Sequence, residues 1–284
     1  MRFSVVIPTI DRVDYLRATL ASVTAADPPP DDVIVVDASR DRSAEGAAAE
    51  SGAQYVHSAP GLTLQRNRGV DQATGDVVVF LDDDVEIAPD FLARLASAYA
   101  DPDVVGATGK VIEPDPGRLG GPRSRLRSLL PGKEGTFTRF GYPRYLRDTE
   151  RPTDIEFMPG CVMTARREAV ARIGFDEEMG GYALGEDEDF SYRLSRLGRI
   201  RYLPTVVVHH KKLGFHSQDT RELGRTVVRN RAYLFRKNFE QTPLARAQFA
   251  LLVAGLVGHR LVNREFRGAL GLLEGAREAW LGRR

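Results

Sequence analysis

The amino-acid sequence predicts an α/β fold in which a mostly parallel, Rossmann-like sheet is flanked by helices and followed by a helical tail at the carboxyl end. Short β-rich segments alternate with segments of helical period four times in about the first hundred residues, which is typical of parallel strands joined by right-handed crossovers. Several strand segments are apolar without interruption, as expected for strands that are buried on both faces. The length of 284 residues suits one large domain, alone or with an appendage.

Each element has its own sequence evidence. The first strand is predicted over Arg2–Ile7, because a β-rich run stops there at Pro8. The next helix is predicted over Asp11–Val23, where apolar side chains recur at helical spacing. Pro89 is predicted to begin a later helix, at the position where proline is best tolerated. Further strands are predicted over Asp32–Val36, Gln54–His57, Val77–Leu81, Val104–Val111, Glu156–Arg166 and Ile200–His209. Further helices are predicted over Asp41–Ser51, Leu62–Ala73, Pro89–Tyr99, Asp187–Leu197 and Arg221–Phe239.

The chain is predicted to form one domain over residues 1–240 and a basic, amphipathic helical tail over residues 241–284. Residues 113–153 interrupt the pattern with many prolines, glycines and arginines, and we expect a flexible, functional loop there. The apolar run Phe249–Val257 is too short to span a bilayer, which takes about 20 residues. The tail therefore either packs on the domain or lies on a membrane surface, where it would be held by Arg246, Arg260, Arg264 and Arg267.

Composition and charge exclude several classes of protein. With 40 Lys and Arg against 39 Asp and Glu, the net charge of +1 argues against a nucleic-acid-binding protein. The single cysteine, Cys161, excludes a disulfide framework and a cysteine-rich zinc module, and we interpret it as a small buried side chain. The first apolar run is too short for a signal peptide, so we expect a cytoplasmic chain. If its tail lies on a membrane surface, we expect this to be the inner face of the cell membrane. Residues 221–284 carry a net charge of +8, and the preceding residues carry −7.

Three carboxylates follow the apolar segment Val77–Leu81. Asp82, Asp83 and Asp84 repel one another unless solvent or a cation offsets their charge. Hard divalent cations take oxygen ligands, and magnesium sites often combine one or two carboxylates with substrate phosphates. Because side chains alternate along an extended segment, we expect Asp82 and Asp84 to point one way and Asp83 the other. The pattern predicts a site for a divalent metal and a diphosphate.

Two further groups are candidates for chemistry. Residues 186–189 are all acidic and stand at the start of a predicted helix, where they exceed what the helix dipole needs, so one of them is a candidate general base. His209 and His210 follow a strand, and such a pair is either structural or, beside an acidic site, a set of metal ligands. Arg66 and Arg68 either face solvent or bind a diphosphate.

Five segments resemble a known family: SVVIPTIDR, VIVVDASRD, QRNRGVDQATGDVVVFLDDDVEIAPDFL, PGCVMTARREAVARIGFDE and GEDEDFSYRL. Their order and spacing over residues 1–240 resemble glycosyltransferase family 2. The resemblance implies a GT-A fold and an inverting transfer of a sugar from a nucleotide-diphosphate donor to an acceptor hydroxyl, in the synthesis of cell-surface glycans or glycolipids. It also implies a divalent metal cofactor, Mn²⁺ or Mg²⁺, and a lipid-linked or glycan acceptor.

The resemblance assigns roles to individual residues. Asp37 is implied to contact the nucleobase, although Val36-Asp37-Ala38-Ser39 here replaces the usual VDDGS of the family. Asp84 is implied to bind the metal, and Asp187 is implied to take the proton of the acceptor hydroxyl. The other implied positions are Pro8, Arg66, Arg68, Asp82 and Asp83 for the donor, Gly160 and Glu186 for the acceptor, and His209 and His210 for the metal.

Two other interpretations stay open. A retaining transferase, or a non-catalytic module that binds nucleotide sugars or glycans, would share the sheet. The presence of Asp82, Asp84 and Asp187 argues against the non-catalytic module. The sequence argues against a nucleotidyltransferase, because such an enzyme is expected to carry a glycine- and lysine-rich phosphate loop where Pro8-Thr9-Ile10-Asp11 stands. A haloacid-dehalogenase-type phosphatase carries its Asp-x-Asp on an early strand, whereas here the triplet follows the fourth predicted strand.

Overall fold

The structure, a computed structural model, describes residues 1–114, 132–146, 149–179, 184–211 and 219–280 of the chain. The chain divides into two compact units. The first comprises Met1–Thr136 and Arg144–Lys212, and the second comprises Phe137–Pro143 and Leu213–Arg284.

The first unit is built around one sheet. Its described strands are β1 (Phe3–Thr9), β2 (Asp32–Asp37), β3 (Gln54–His57), β4 (Val77–Leu81), β5 (Val85–Ile87), β6 (Val104–Ile112), β7 (Thr153–Ile155), β8 (Val162–Arg166) and β9 (Arg199–His210). They lie in the order β3-β2-β1-β4-β8-β6-β9-β5, with β7 beside β9. The pairs β1–β2, β1–β4, β2–β3 and β6–β9 are parallel. The pairs that include β5, β7 or β8 are antiparallel. The α/β class is confirmed, and the sheet is mixed because β8 is inserted antiparallel between β4 and β6.

The central strands are largely apolar and mostly buried because helices cover both faces of the sheet. The described helices of this unit are α1 (Val13–Thr24), α2 (Ala44–Ser51), α3 (Leu62–Gln72), α4 (Phe91–Tyr99), α5 (Arg167–Ile173) and α6 (Glu186–Ser195). Val5 and Ile7 of β1 share a buried cluster with α1, α2 and α4. Val6 points to the other face, where it packs with side chains of α3, α5 and α6. The period of two along β1 thus explains an uninterrupted apolar run.

Most predicted elements occur within a few residues of their predicted bounds. β3 and β4 begin and end where the sequence predicts. The strand predicted over Glu156–Arg166 is shorter and begins at Val162. The short elements β5, β7 and α5 were not predicted. Cys161 is buried, in agreement with the prediction of a small buried side chain.

The second unit contains the described helices α7 (Thr220–Asn238), α8 (Pro243–Val262) and α9 (Phe266–Trp280). α7 and α9 approach closely, since any side chain at Gly271 would overlap the carbonyl oxygen of Arg221. Phe235 of α7 stacks on Phe249 of α8, with 5.0 Å between the ring centroids. The predicted domain boundary at residues 240/241 therefore falls inside this unit. Within the described ranges, no helix has the length and apolar character needed to cross a membrane.

Candidate active site

The carboxyl ends of β1, β2 and β4 lie side by side, because the three strands are parallel neighbours. β1 ends at Thr9 and β2 ends at Asp37. β4 is followed by the acidic turn, which we define as Asp82, Asp83 and Asp84, and this turn leads directly into β5. Ligands of open α/β sheets bind outside the carboxyl ends of the strands. The fold therefore places the predicted acidic site at the edge where a ligand is expected.

The acidic turn contributes to a group of side chains that fits a divalent metal. Asp82, Asp84 and His210 each offer one ligand atom, and these atoms lie within 4.8 Å of one another. His210 is close because β9 pairs with β5, which places it opposite Val85. Carboxylate and imidazole ligands together suit Mn²⁺, and Mg²⁺ takes the carboxylates. The donor atoms of Asp82 and Asp84 therefore converge, although a turn and not an extended strand brings them together.

A cation of the chain itself contacts the acidic turn. Arg12 precedes α1, and its Nη1 lies 2.9 Å from Oδ1 of Asp83. Its Nη2 lies 2.8 Å from Oδ2 of Asp84. The second oxygen of Asp83 accepts a hydrogen bond of 2.7 Å from the hydroxyl of Thr9, and the second oxygen of Asp84 lies 3.3 Å from Nε2 of His210. Sequence reasoning missed Arg12, although its place after the carboxyl end of the first strand was an available signal.

Burial and charge shift the pKa values of the acidic turn in opposite directions. Burial raises the pKa of Asp83 to about 7, against the lowering effect of Arg12. Burial alone would also raise the pKa of Asp84, but His210 and Arg12 lower it to about 2. For His210, burial alone would lower the pKa, yet its hydrogen bond to Asp84 and the charge of Asp84 raise it. Asp84 is thus ionised at neutral pH, which is the state that a metal ligand requires.

Arg66 of α3 joins the acidic turn to the second acidic cluster. Its side chain is 1% exposed, and its Nη1 donates to Oε1 of Glu186 at 2.9 Å. Its Nη2 donates to the carbonyl oxygen of Gly160 at 2.9 Å and to Oδ1 of Asp82 at 3.2 Å. The ring of Phe175 lies 5.3 Å from the guanidinium carbon. Arg66 does not face solvent, because its guanidinium is buried among groups of the protein. Its contact with a diphosphate stays a prediction.

Asp187 lies beside this bridge, in the first turn of α6. Its Oδ2 accepts the backbone N–H of Gly160 at 3.1 Å, and its Oδ1 accepts that of Glu188 at 2.8 Å. A Cβ on residue 160 would stand only 3.3 Å from Oδ2 of Asp187, so glycine permits this approach. Burial, together with the charges of Glu186 and Glu188, raises the pKa of Asp187 well above that of an ordinary aspartate. A partly exposed carboxylate with a raised pKa suits a general base near neutral pH.

Two predicted site residues are placed differently from expectation. His209 is exposed and lies opposite Glu86, so alternation along β9 turns it away from His210. The group that fits a metal in the described part of the chain therefore contains His210 and not His209. Glu186, predicted to bind the acceptor, is buried and ion-paired with Arg66. Its carboxylate orients that arginine, because the two form a buried pair, and its contact with an acceptor stays a prediction.

Asp37 stands at the predicted edge, but its carboxylate is engaged by the protein. It is fully buried, and its Oδ1 accepts hydrogen bonds of 2.8 Å and 2.5 Å from the backbone N–H and the hydroxyl of Ser39. Its Oδ2 accepts the hydroxyl of Tyr55 at 3.1 Å. In this arrangement Asp37 fixes the segment after β2. Its contact with a nucleobase stays a prediction.

The other predicted residues are structurally diverse. Pro8 lies in β1 beyond Val6, the last residue that pairs with β4, so its missing N–H removes no hydrogen bond to that strand. Arg68 is exposed and donates to the carbonyl oxygen of His57 at 3.2 Å. The donor contacts of Pro8 and Arg68 stay predictions. Within the predicted loop over 113–153, the following arginines lie outside the described residues: Arg118, Arg123, Arg125, Arg127 and Arg147.

Comparison with known proteins agrees with the sequence motifs. The profile described as "Glycosyl transferase family 2" matches residues 4–174, more than half of the chain. A "Pre-mycofactocin glycosyltransferase" of Mycobacterium tuberculosis is 28% identical over 218 residues, which cover 73% of this chain and 42% of that protein. The chain thus spans less than half the length of this curated relative.

Solved structures share the fold. The mannosyltransferase PcManGT from Pyrobaculum calidifontis, in complex with GDP-Man and Mn²⁺, has a TM-score of 0.62 at 18% identity, and the match covers 100% of this chain and 88% of that one. Glucosyl-3-phosphoglycerate synthase from Mycobacterium tuberculosis, with Mn²⁺, UDP and glucosyl-3-phosphoglycerate, has a TM-score of 0.55 at 20% identity, covering 85% of this chain and 81% of that one. This likeness supports the GT-A-type fold that the motifs implied.

Proposed function

The chain belongs to glycosyl transferase family 2, and from this membership we propose that it transfers a sugar from a nucleotide diphosphate to an acceptor hydroxyl, with inversion at the anomeric carbon. One observation carries the proposal: Arg66 bridges Asp82, in the group that fits a metal, and Glu186, the neighbour of Asp187. A direct displacement needs a group that stabilises the leaving diphosphate and a separate base for the attacking hydroxyl. The bridge brings candidates for both to one edge of the sheet.

The metal would be held by Asp82, Asp84 and His210, whose donor atoms converge and whose chemistry fits Mn²⁺. A divalent ion bound there would supply Lewis-acid stabilisation of the leaving diphosphate. Asp83 points away from this group toward Thr9, so it is not proposed as a ligand. The complexes of the two solved structures with Mn²⁺ and a nucleotide support this choice of metal and donor class.

Asp187 would accept the proton of the acceptor hydroxyl while the acceptor oxygen attacks the anomeric carbon. The new carbon–oxygen bond forms as the bond from that carbon to the diphosphate breaks, so the electron pair leaves with the nucleotide diphosphate and the configuration inverts. The backbone N–H groups of Gly160 and Glu188 hold the carboxylate in place. Its raised pKa makes it a stronger base than an ordinary aspartate.

Asp84→Asn is expected to abolish the metal-dependent binding of nucleotide diphosphates. In the wild-type chain, the matching nucleotide should raise the melting temperature only when Mn²⁺ is present, because a ligand of the native state stabilises by mass action. Thermal unfolding against a panel of nucleotide diphosphates and their sugars, with and without Mn²⁺, measures this and names the donor class. Sugar transfer from the donor so found then separates an enzyme from a module that only binds.

Asp76→Asn is the control, because Asp76 precedes β4, at the opposite end of that strand from the acidic turn, and pairs with Arg2 at the surface. This variant is expected to keep the Mn²⁺-dependent rise in melting temperature. The proposed metal site would be contradicted if nucleotide with Mn²⁺ raised the melting temperature of the Asp84→Asn variant as much as that of the wild type.

We also propose that the acceptor is lipid-linked or a glycan and that residues 113–153 select it. We propose further that the second unit, which contains α7, α8 and α9, docks on the inner face of the membrane. Eight of the thirteen large apolar side chains that are exposed in the described chain lie in α8 or α9. On α9, Phe266, Leu270, Leu273 and Trp280 recur at helical spacing and are 45–65% exposed. The opposite side of α9 buries mostly small residues, together with Leu272. An amphipathic helix with nearby arginines suits an anionic bilayer surface.

Replacing Phe266, Leu270 and Leu273 together by serine is expected to lower the fraction of protein bound to phosphatidylglycerol-containing vesicles at least about fivefold, because the variant loses the apolar area that would enter the interface. Co-sedimentation with these vesicles and with purely zwitterionic ones measures this. Serine at Ile10 and Ile112, exposed apolar residues of the first unit, is the control. If both variants and the wild type bound the vesicles to the same extent, the membrane proposal would be contradicted. The proposed transfer reaction would not be affected by that result.

A further inference from the structure

Arg12 places its guanidinium where the proposed metal would compete for carboxylate oxygens. Its two terminal nitrogens lie 2.9 Å from Asp83 and 2.8 Å from Asp84. We propose that Arg12 is a built-in counter-cation, which competes with the divalent metal for Asp84 and so lowers the affinity of the acidic turn for free metal ions. This inference goes beyond the proposed transfer reaction, because it concerns what the turn binds before a donor arrives.

The contacts of Asp84 make this competition specific. Its Oδ2 is bonded to Arg12, and its Oδ1 faces Nε2 of His210 at 3.3 Å. A divalent ion that takes an oxygen of Asp84 would stand close to the guanidinium, and like charges in a partly buried site repel strongly. The Asp84 side chain is only 5% exposed, whereas that of Arg12 is 35% exposed. Arg12 is therefore the group that can give way, by turning its long side chain toward solvent.

The backbone before Arg12 is fixed, so that the competition resides in the side chain. Asp11 adopts a left-handed φ of 53°, which is uncommon for a residue with a Cβ. Its N–H donates to the hydroxyl oxygen of Ser39 at 2.8 Å, and that hydroxyl donates to the buried carboxylate of Asp37 at 2.5 Å. These hydrogen bonds tie the residue beside Arg12 to the end of β2. The backbone at Arg12 is therefore held in place, while the guanidinium can break and re-form its contacts with Asp83 and Asp84.

A nucleotide diphosphate would reduce the competition between Arg12 and the metal for Asp84. Phosphate oxygens are good partners both for a divalent metal and for a guanidinium. Metal that arrives with a diphosphate offers Arg12 a replacement for Asp84, whereas metal alone offers none. Arg12 would thus favour the joint binding of metal and nucleotide over the binding of free metal.

Binding of Mn²⁺ alone to the full chain, followed by the electron paramagnetic resonance signal of free Mn²⁺, tests the inference. Arg12→Gln removes the charge and is expected to bind Mn²⁺ at least about tenfold more tightly than the wild type, where tenfold corresponds to about 1.4 kcal/mol. Arg12→Lys keeps the charge and is expected to bind Mn²⁺ less tightly than Arg12→Gln. Arg17→Gln is the control, since Arg17 is an exposed arginine of α1 that pairs with Glu50, and it should bind Mn²⁺ like the wild type.

An Arg12→Gln affinity equal to or weaker than that of the wild type would overturn the inference. Asp84→Asn separates the two proposals. If it binds Mn²⁺ more weakly while Arg12→Gln is unchanged, only the role of Arg12 fails; if it binds Mn²⁺ like the wild type, the metal site fails too. Should Arg12→Gln not fold, the wild-type Arg12 side-chain resonance is followed by ¹⁵N NMR during titration with Mg²⁺. A shift away from the ion-paired position is expected, and a resonance that stays unchanged at saturation would overturn the inference.

Discussion

Replacing Asp187 by asparagine is expected to lower kcat for sugar transfer by about 10²–10⁴-fold, the usual contribution of a general base. Asparagine has nearly the same shape and can still accept the N–H of Gly160, but it cannot take a proton. Asp187 is not part of the group that fits the metal, so the Mn²⁺-dependent affinity for the nucleotide should stay near that of the wild type. Transfer rates at saturating donor, measured beside the dissociation constant of the nucleotide diphosphate, separate these two effects.

The pH dependence of kcat adds a readout that a merely structural role would not give. Burial and the charges of Glu186 and Glu188 raise the pKa of Asp187. As the pH falls through this raised pKa, the carboxylate becomes protonated and kcat should fall with it. This decline should lie well above the pH at which an ordinary aspartate titrates, near its pKa of about 3.9. The Asp187→Asn variant should lack this limb of the profile.

Asp189→Asn is the matched control on the same helix. Asp189 is buried and pairs with Arg193 at 2.6 Å, so its loss should lower the free energy of unfolding and leave the acid limb of kcat in place. An Asp187→Asn variant with wild-type kcat would contradict the assignment of the base. So would a variant that loses nucleotide binding in step with kcat, because Asp187 would then act on the donor side.

The strands that sequence predicts best are those that need no particular partner to be recognised. Gln54–His57 and Val77–Leu81 are short β-rich runs, and the structure gives both the predicted bounds. Val85–Ile87 and Thr153–Ile155 have three residues each and are strands because β9 pairs with them. No local pattern indicates those pairings. The antiparallel insertion of β8 likewise depends on neighbours that are distant in the chain, so the predicted sheet was more parallel than the observed one.

The candidate site was predictable in its local parts and not where a distant partner decides. The convergence of Asp82 and Asp84 was expected, but a turn brings their donor atoms together, and not alternation along an extended strand. A period of two along β9 separates His209 from His210, although it does not tell which of them faces the acidic turn. Arg66 could not be placed by such a rule. Its burial depends on Glu186, which lies 120 residues further along the chain.

Arg66→Met is expected to lower the free energy of unfolding by about 3–5 kcal/mol, the usual cost of removing one partner from a buried ion pair. Methionine keeps an unbranched side chain beside Phe175, but it leaves the buried Glu186 without its cation. It also removes the donor to the carbonyl oxygen of Gly160. Denaturant unfolding without metal measures the change, because no bound ion then offsets the charge of Asp82.

Two further variants show whether the loss of stability in Arg66→Met comes from the ion pair of Arg66 with Glu186. Arg68→Met changes an exposed arginine of the same helix and should alter the free energy of unfolding by no more than about 0.5 kcal/mol. Adding Glu186→Gln to Arg66→Met removes the stranded charge and should restore part of the stability, with a coupling of about 0.5–3 kcal/mol between the two positions. Equal unfolding of Arg66→Met and Arg68→Met would mean that Arg66 does not hold the two acidic groups together. The closeness of the proposed metal ligands to the proposed base would then need another cause.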